Sequence, residues 1–164
     1  MIKKLAAVFI LILSINIVYG QNGQLQINGQ KKGANESELQ AAFIPGGTLQ
    51  NGFAIKLPAD VKSSLLAVQL DGTDLWLKSS PQKPEKADAV HWQNNSDGFT
   101  LLFSSVVLPA GTRFGIKLHV TALPDKDREV AAPFIISAVM PAPDGTYAPG
   151  QEIVRQDLPK IQDN

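Results

Sequence analysis

The chain has 164 residues, with 15 Lys and Arg against 15 Asp and Glu, 44% hydrophobic residues and no cysteine. That length suits one domain with its own core, and the even charge gives no basic face for nucleic acid. The missing cysteine excludes a disulfide framework, a thiol nucleophile and a lipid-modified thiol, so stability has to come from burial.

The first element in chain order is a leader. Met1-Ile2-Lys3-Lys4 is basic, "LAAVFILIL" is apolar, and Val18 and Gly20 are the small residues ahead of Gln21. Residues 1–20 therefore read as a secretory signal peptide cut before Gln21. An uncleaved anchor needs about 20 apolar residues, but Ser14 and Asn16 interrupt this run and Gln21-Asn22-Gly23-Gln24 follows it. Losing Lys3 and Lys4 leaves 13 basic against 15 acidic residues, a formal −2, with nothing to hold the chain to a membrane after cleavage. A short Lys-Lys leader on a disulfide-free exported chain reads as bacterial, and the expected location is periplasmic, cell-surface or extracellular. On that reading the sequons Asn35-Glu36-Ser37 and Asn94-Asn95-Ser96 are chance matches.

The rest divides into a domain over 21–140 and a Pro/Gly-rich tail over 141–164. No stretch after the leader keeps helical spacing, whereas period-two alternation recurs. "QLQIN" turns Leu25 and Ile27 inward, "ELQAAFI" turns Leu39, Ala41 and Phe43 inward, and "GFAIKLP" does the same with Phe53, Ile55 and Leu57 while Lys56 faces out. "SSPQKPEKAD" (Ser79 to Asp88) is expected to be an exposed crossover between sheets. "AVHWQ" places Val90 and Trp92 in the core. "GFTLLFSS" places Phe99, Leu101 and Phe103 there, with Leu102 breaking the pattern beneath a loop. In "TRFGIKLHVTAL", Phe114, Ile116, Leu118, Val120 and Ala122 face in, and Arg113, Lys117, His119 and Thr121 face out. "PFIISAVMP" is apolar on both faces, with Phe134, Ile136, Ala138 and Met140 opposed by Ile135 and Val139, so it is expected in a central or covered position. In the tail, "EIVRQ" can add an edge strand. Eight to ten short strands with turn signals between them predict an antiparallel β-sandwich, immunoglobulin-like in the first instance and a jelly roll as the alternative.

The stretch "VQLDGTDLWL" carries the candidate site. A two-residue Asp71-Gly72 loop fixes a register in which Leu70 opposes Thr73, Val68 opposes Leu75 and Leu66 opposes Leu77. Trp76 then stands opposite Ala67 on the polar face, beside Gln69, Asp74, Lys78 and Leu65. It either covers a sheet face beneath the Ser79–Asp88 loop or the tail, or serves as a stacking platform for a sugar ring, with Tyr147 or His119 as further contacts.

No catalytic constellation is present. His91 and His119 lack the third and fourth ligands of a zinc site. Asp125, Asp127 and Glu129 in "DKDRE" lack the glycine and the distant glutamate of a calcium loop, and there is no nucleophile elbow or phosphate loop. The expectation is a non-catalytic interaction domain without cofactor or metal. Its partner is another protein of the cell envelope, or alternatively a glycan held at Trp76, Gln69, Asp74 and Lys78.

Overall fold

The computed structural model describes residues 18–20, 23–121 and 133–159, which form twelve β-strands and no helix. In chain order these are β1 (Val18–Gly20), β2 (Gly23–Lys31), β3 (Glu36–Pro45), β4 (Leu49–Lys56), β5 (Lys62–Leu70) and β6 (Thr73–Asp74). There follow β7 (Trp76–Ser79), β8 (Ala89–Asn95), β9 (Gly98–Leu108), β10 (Phe114–Thr121), β11 (Pro133–Pro141) and β12 (Tyr147–Asp157). Sheet A has the order β1-β2-β3-β10-β5-β6 and sheet B the order β12-β11-β4-β9-β8-β7, and the two pack face to face as a β-sandwich. Every paired neighbour is antiparallel except β7 and β8.

Alternation decides which face of sheet A is dry. Leu25 and Ile27 of β2, Leu39, Ala41 and Phe43 of β3, and Phe114, Ile116, Leu118 and Val120 of β10 are all buried, as the pattern predicts. Their spacing of two residues puts them on one side, and the intervening Gln, Lys and His residues face the other way. From sheet B, Phe53, Ile55, Val90, Phe99, Leu101, Phe103, Phe134 and Ile136 meet them.

The centre is a cluster of four phenylalanines, two from each sheet. Phe53 meets Phe43 and Phe114 edge-on at centroid distances of 5.3 and 5.0 Å and lies stacked with Phe103 at 5.8 Å. Phe114 in turn meets Phe103 edge-on at 5.2 Å. Trp92, partly buried, lies edge-on to Phe99 at 6.1 Å on the flank of the same core.

Sheet B has a buried apolar patch on its second face as well. Ala54, Leu102 and Val139 form a smaller cluster there, with Tyr147 packed on it. Leu102 is the cross-strand neighbour of His91, and the His91 ring Nδ1 lies 2.7 Å from the Gln82 carbonyl oxygen. Lys83 Nζ donates to Asn51 Oδ1 at 2.9 Å, and Pro84 is buried. The Ser79–Asp88 segment thus reaches the outer face of sheet B at His91 and Asn51, beside Leu102, which is buried although it breaks the alternation. It is not a crossover between sheets, because β7 and β8, which it joins, both belong to sheet B. The strands run parallel, and a parallel pair cannot be closed by a tight turn. β11 is an interior strand, as its two-sided apolarity predicts, but Met140 lies at its far end and is 59% exposed, not inward.

Two irregularities are set by single residues. Gly52 follows Asn51, whose φ of 66° marks a break in the β4–β9 register, and a Cβ on Gly52 would overlap the Leu101 carbonyl. In β12 the register with β11 shifts between Ile136 and Ser137, so that Ile153 and Val154 are both buried. That shift brings Glu152 and Arg155 together, and the guanidinium donates from both Nε and an Nη to the carboxylate at 2.6 Å each. The tail therefore supplies an eleven-residue edge strand. Of the expected leader and its cut site, only residues 18–20 are described, running antiparallel to β2; the rest lies outside the described residues, as do Ala122 and the "DKDRE" carboxylates.

Because Phe53 touches the three other rings, Phe53→Ala is expected to cost about 3–5 kcal/mol. A urea titration should show a lower midpoint with little change in slope.

Candidate functional site

The β5–β6 turn starts where the sequence places it. Asp71 and Gly72 have φ of 48° and 83°, the two positive values of a type I′ turn, which favours Asp-Gly. Leu70 pairs with Thr73 and Gln69 with Asp74. The turn is fastened from both sides to Arg113, just ahead of β10: the Asp71 N–H donates to the Arg113 carbonyl at 2.8 Å and the Arg113 N–H donates to Asp71 Oδ1 at 3.0 Å. The Leu75 N–H still reaches the Val68 carbonyl at 2.9 Å.

Beyond Leu75 the expected register ends. The Trp76 N–H donates to the Asp88 carbonyl, and β7 joins sheet B, with Trp76 facing Ala89, Leu77 facing Val90 and Lys78 facing His91. Leu66 does not oppose Leu77, and Trp76 does not oppose Ala67. The cause lies in β5, where Ala67 pairs with Lys117 but Leu65 pairs with Leu118, so Leu66 is an extra residue in a bulge and is 46% exposed. A strand continuing alongside would have carried Leu77 to an outward, wet leucine. Crossing to β8 instead seats Leu77 against the core beside Val90.

With Leu77 inward, Trp76 and Lys78 face outward from sheet B. Trp76 is 77% exposed, so neither the Ser79–Asp88 segment nor the tail covers it. The four expected site residues are accordingly divided between the sheets. Gln69 and Asp74 stay together on the outer face of sheet A, where Gln69 Nε2 donates to Asp74 Oδ1 at 2.8 Å. Trp76 and Lys78 belong to the edge of sheet B. His119 is on the outer face of sheet A and His91 on that of sheet B, so the sandwich separates them, while Tyr147 lies on β12 at the opposite edge of sheet B from β7. Among the described residues no three His, Cys, Asp or Glu side chains are grouped to hold a metal ion.

Gln69 and Asp74 are the end wall of an open groove of about 510 Å³ that crosses sheet A. Its first row, read across the paired strands, is Gln26, Ala42, Gly115, Gln69 and Asp74. The next row is Asn28, Gln40, Lys117 and Ala67. Small side chains at Ala42 and Gly115 make the dip, and longer amides rise on either side.

Glu38, one row further on, draws the central side chains away from the dip. Gln40 Nε2 donates to its carboxylate at 3.3 Å, Lys117 Nζ is 3.4 Å away and Lys32 Nζ 4.0 Å. The Gln40 hydrogen bond, followed by the two ammonium groups, holds the Glu38 carboxyl below the ordinary glutamate value. The groove was missed in the sequence because its dip is formed by Ala42 and Gly115, which are far apart in the chain. Their adjacency appears only once β3 and β10 are paired; the one local signal is two small residues at outward positions of otherwise well-formed strands.

Neither the protein-family models nor the curated proteins contain a match to this chain.

Two outcomes are expected. In the Trp92→Phe protein, where Trp76 is the single emitter, fluorescence should be red-shifted and readily quenched by acrylamide; in Trp76→Phe, the remaining Trp92 should be blue-shifted and protected. A depressed carboxyl pKa contributes stability that is present above the unfolded-state value and lost as pH falls through the folded one. Melting temperature should therefore fall on the acid side of the ordinary glutamate range, and less steeply in Glu38→Gln than in the parent protein.

Proposed function

We propose that this chain is a non-catalytic, immunoglobulin-like interaction domain, exported to the cell envelope, where it binds another protein through the β7 edge of sheet B. The adjacencies β2-β3-β10 and β4-β11-β12 follow the A-B-E and C-F-G neighbours of an immunoglobulin sandwich, with β5 to β9 inserted between the third and fourth of these strands in chain order. Export rests on the basic, apolar leader of residues 1–20. A lack of disulfides suits a domain held by its aromatic core.

The observation that carries the binding reading is Trp76. A tryptophan that is 77% exposed offers a large, rigid, amphipathic surface that contributes nothing to the core. Tryptophan is among the residues most enriched where interfaces concentrate their energy. Lys78 on the same strand gives the ring a polar neighbour along this edge. A sugar platform built on Trp76 would need the polar side chains around it, but Gln69 and Asp74 belong to the other sheet and already bond each other.

A photo-crosslinking residue placed at Lys78 should capture a discrete envelope protein. Trp76→Ala should weaken that complex by about 2 kcal/mol or more, roughly 30-fold, while leaving the melting temperature unchanged. Equal capture by the parent and the Trp76→Ala protein, or no discrete product, refutes the reading.

A further inference from the structure

We propose that the groove on sheet A is a second binding site, independent of the Trp76 edge, and that it takes a neutral, extended oligosaccharide lying across the strands. The groove runs over five strands of sheet A, a length of four inter-strand gaps, roughly 19 Å. A sugar ring in an extended chain advances by about one such gap, so successive rings meet equivalent positions on successive strands.

The chemistry of the lining selects the ligand. Ala42 and Gly115 give a flat, small floor on which the C–H face of a ring can rest. The walls at Gln26, Asn28, Gln40 and Gln69 are amides, which both donate and accept, as sugar hydroxyls do. Gln69 leans over the floor: a Cβ on Gly115 would come within 3.1 Å of its Oε1. With its Nε2 committed to Asp74, that oxygen is left to accept from a ligand hydroxyl.

Charge selects against the alternatives. Lys117 is paired with Glu38, and Asp74, hydrogen-bonded by Gln69 but keeping its negative charge, stands at one end of the groove, so an anionic ligand is disfavoured and no free cation is there to hold one. An extended peptide finds no ladder here, because β3 and β10, which carry the floor, are paired on both sides. Glu38 is a positioning residue in this arrangement: by holding Lys117 and Gln40 towards itself it keeps their side chains from filling the dip.

The test is a titration of the isotopically labelled full chain, followed by the side-chain amide signals in NMR. The probes are neutral hexasaccharides of glucose, xylose and mannose, with anionic hexagalacturonate in parallel. At least one neutral hexasaccharide should shift the amides of Gln26, Asn28, Gln40 and Gln69, and its disaccharide should bind at least about tenfold more weakly. Gly115→Leu, which fills the floor, and Gln26→Ala, at a solvent-facing wall whose loss leaves the fold intact, should each weaken binding about tenfold or more. Trp76→Ala should leave it unchanged. No shifts with any neutral probe, preference for hexagalacturonate, or shifts centred on Trp76 would each overturn the proposal. Should Gly115→Leu not fold, Gln26→Ala decides.

Discussion

The sandwich depends on four phenylalanine rings meeting across its midplane. Phe43 and Phe114 come from neighbouring strands at the centre of sheet A, and Phe53 and Phe103 from neighbouring strands at the centre of sheet B. Without a cysteine, no disulfide joins the sheets, so their spacing and mutual angle rest on how these rings interlock. The edge-on contacts add directional preference to burial that would otherwise be non-directional. The remaining core aliphatics surround this cluster and fill the space it defines.

What could be read in advance followed the physics of single strands. Alternation along "TRFGIKLHVT" or "GFAIKL" is a local property, and a residue two positions along points the same way whatever the strand pairs with. The inward residues of β2, β3, β4, β9 and β10 were legible for that reason, and so was the Asp-Gly turn, whose two positive φ angles favour those residue types. The sandwich itself follows from strands with one dry face and, among the described residues, no helix to cover them.

What could not be read depended on the second strand of each pair. The placement of Trp76 on an outer face was right in outcome but derived from the wrong neighbour, because one bulged residue, Leu66, shifts the register of β5 and leaves the following strand no dry seat there. Pattern analysis assigns Leu66 to the core face since it is apolar and in phase with its neighbours; the unpaired residue is visible only against β10. The same limit hid the groove, whose floor joins residues 73 positions apart. It also made the Ser79–Asp88 segment a crossover between sheets, when the two strands it joins belong to the same sheet.

The reciprocal hydrogen bonds between Asp71 and Arg113 have a consequence for recognition. They anchor the turn to the residue just ahead of central strand β10, and only Gly72, Thr73, Asp74 and Leu75 separate Asp71 from Trp76. So short a tether, with Asp74 tied to Gln69, the Leu75 N–H to Val68 and the Trp76 N–H to Asp88, holds the backbone that carries the indole in place. In the proposed complex the strand that carries the indole would be ordered before binding, so the entropy of ordering a loop, which commonly weakens association, would already be absorbed in folding.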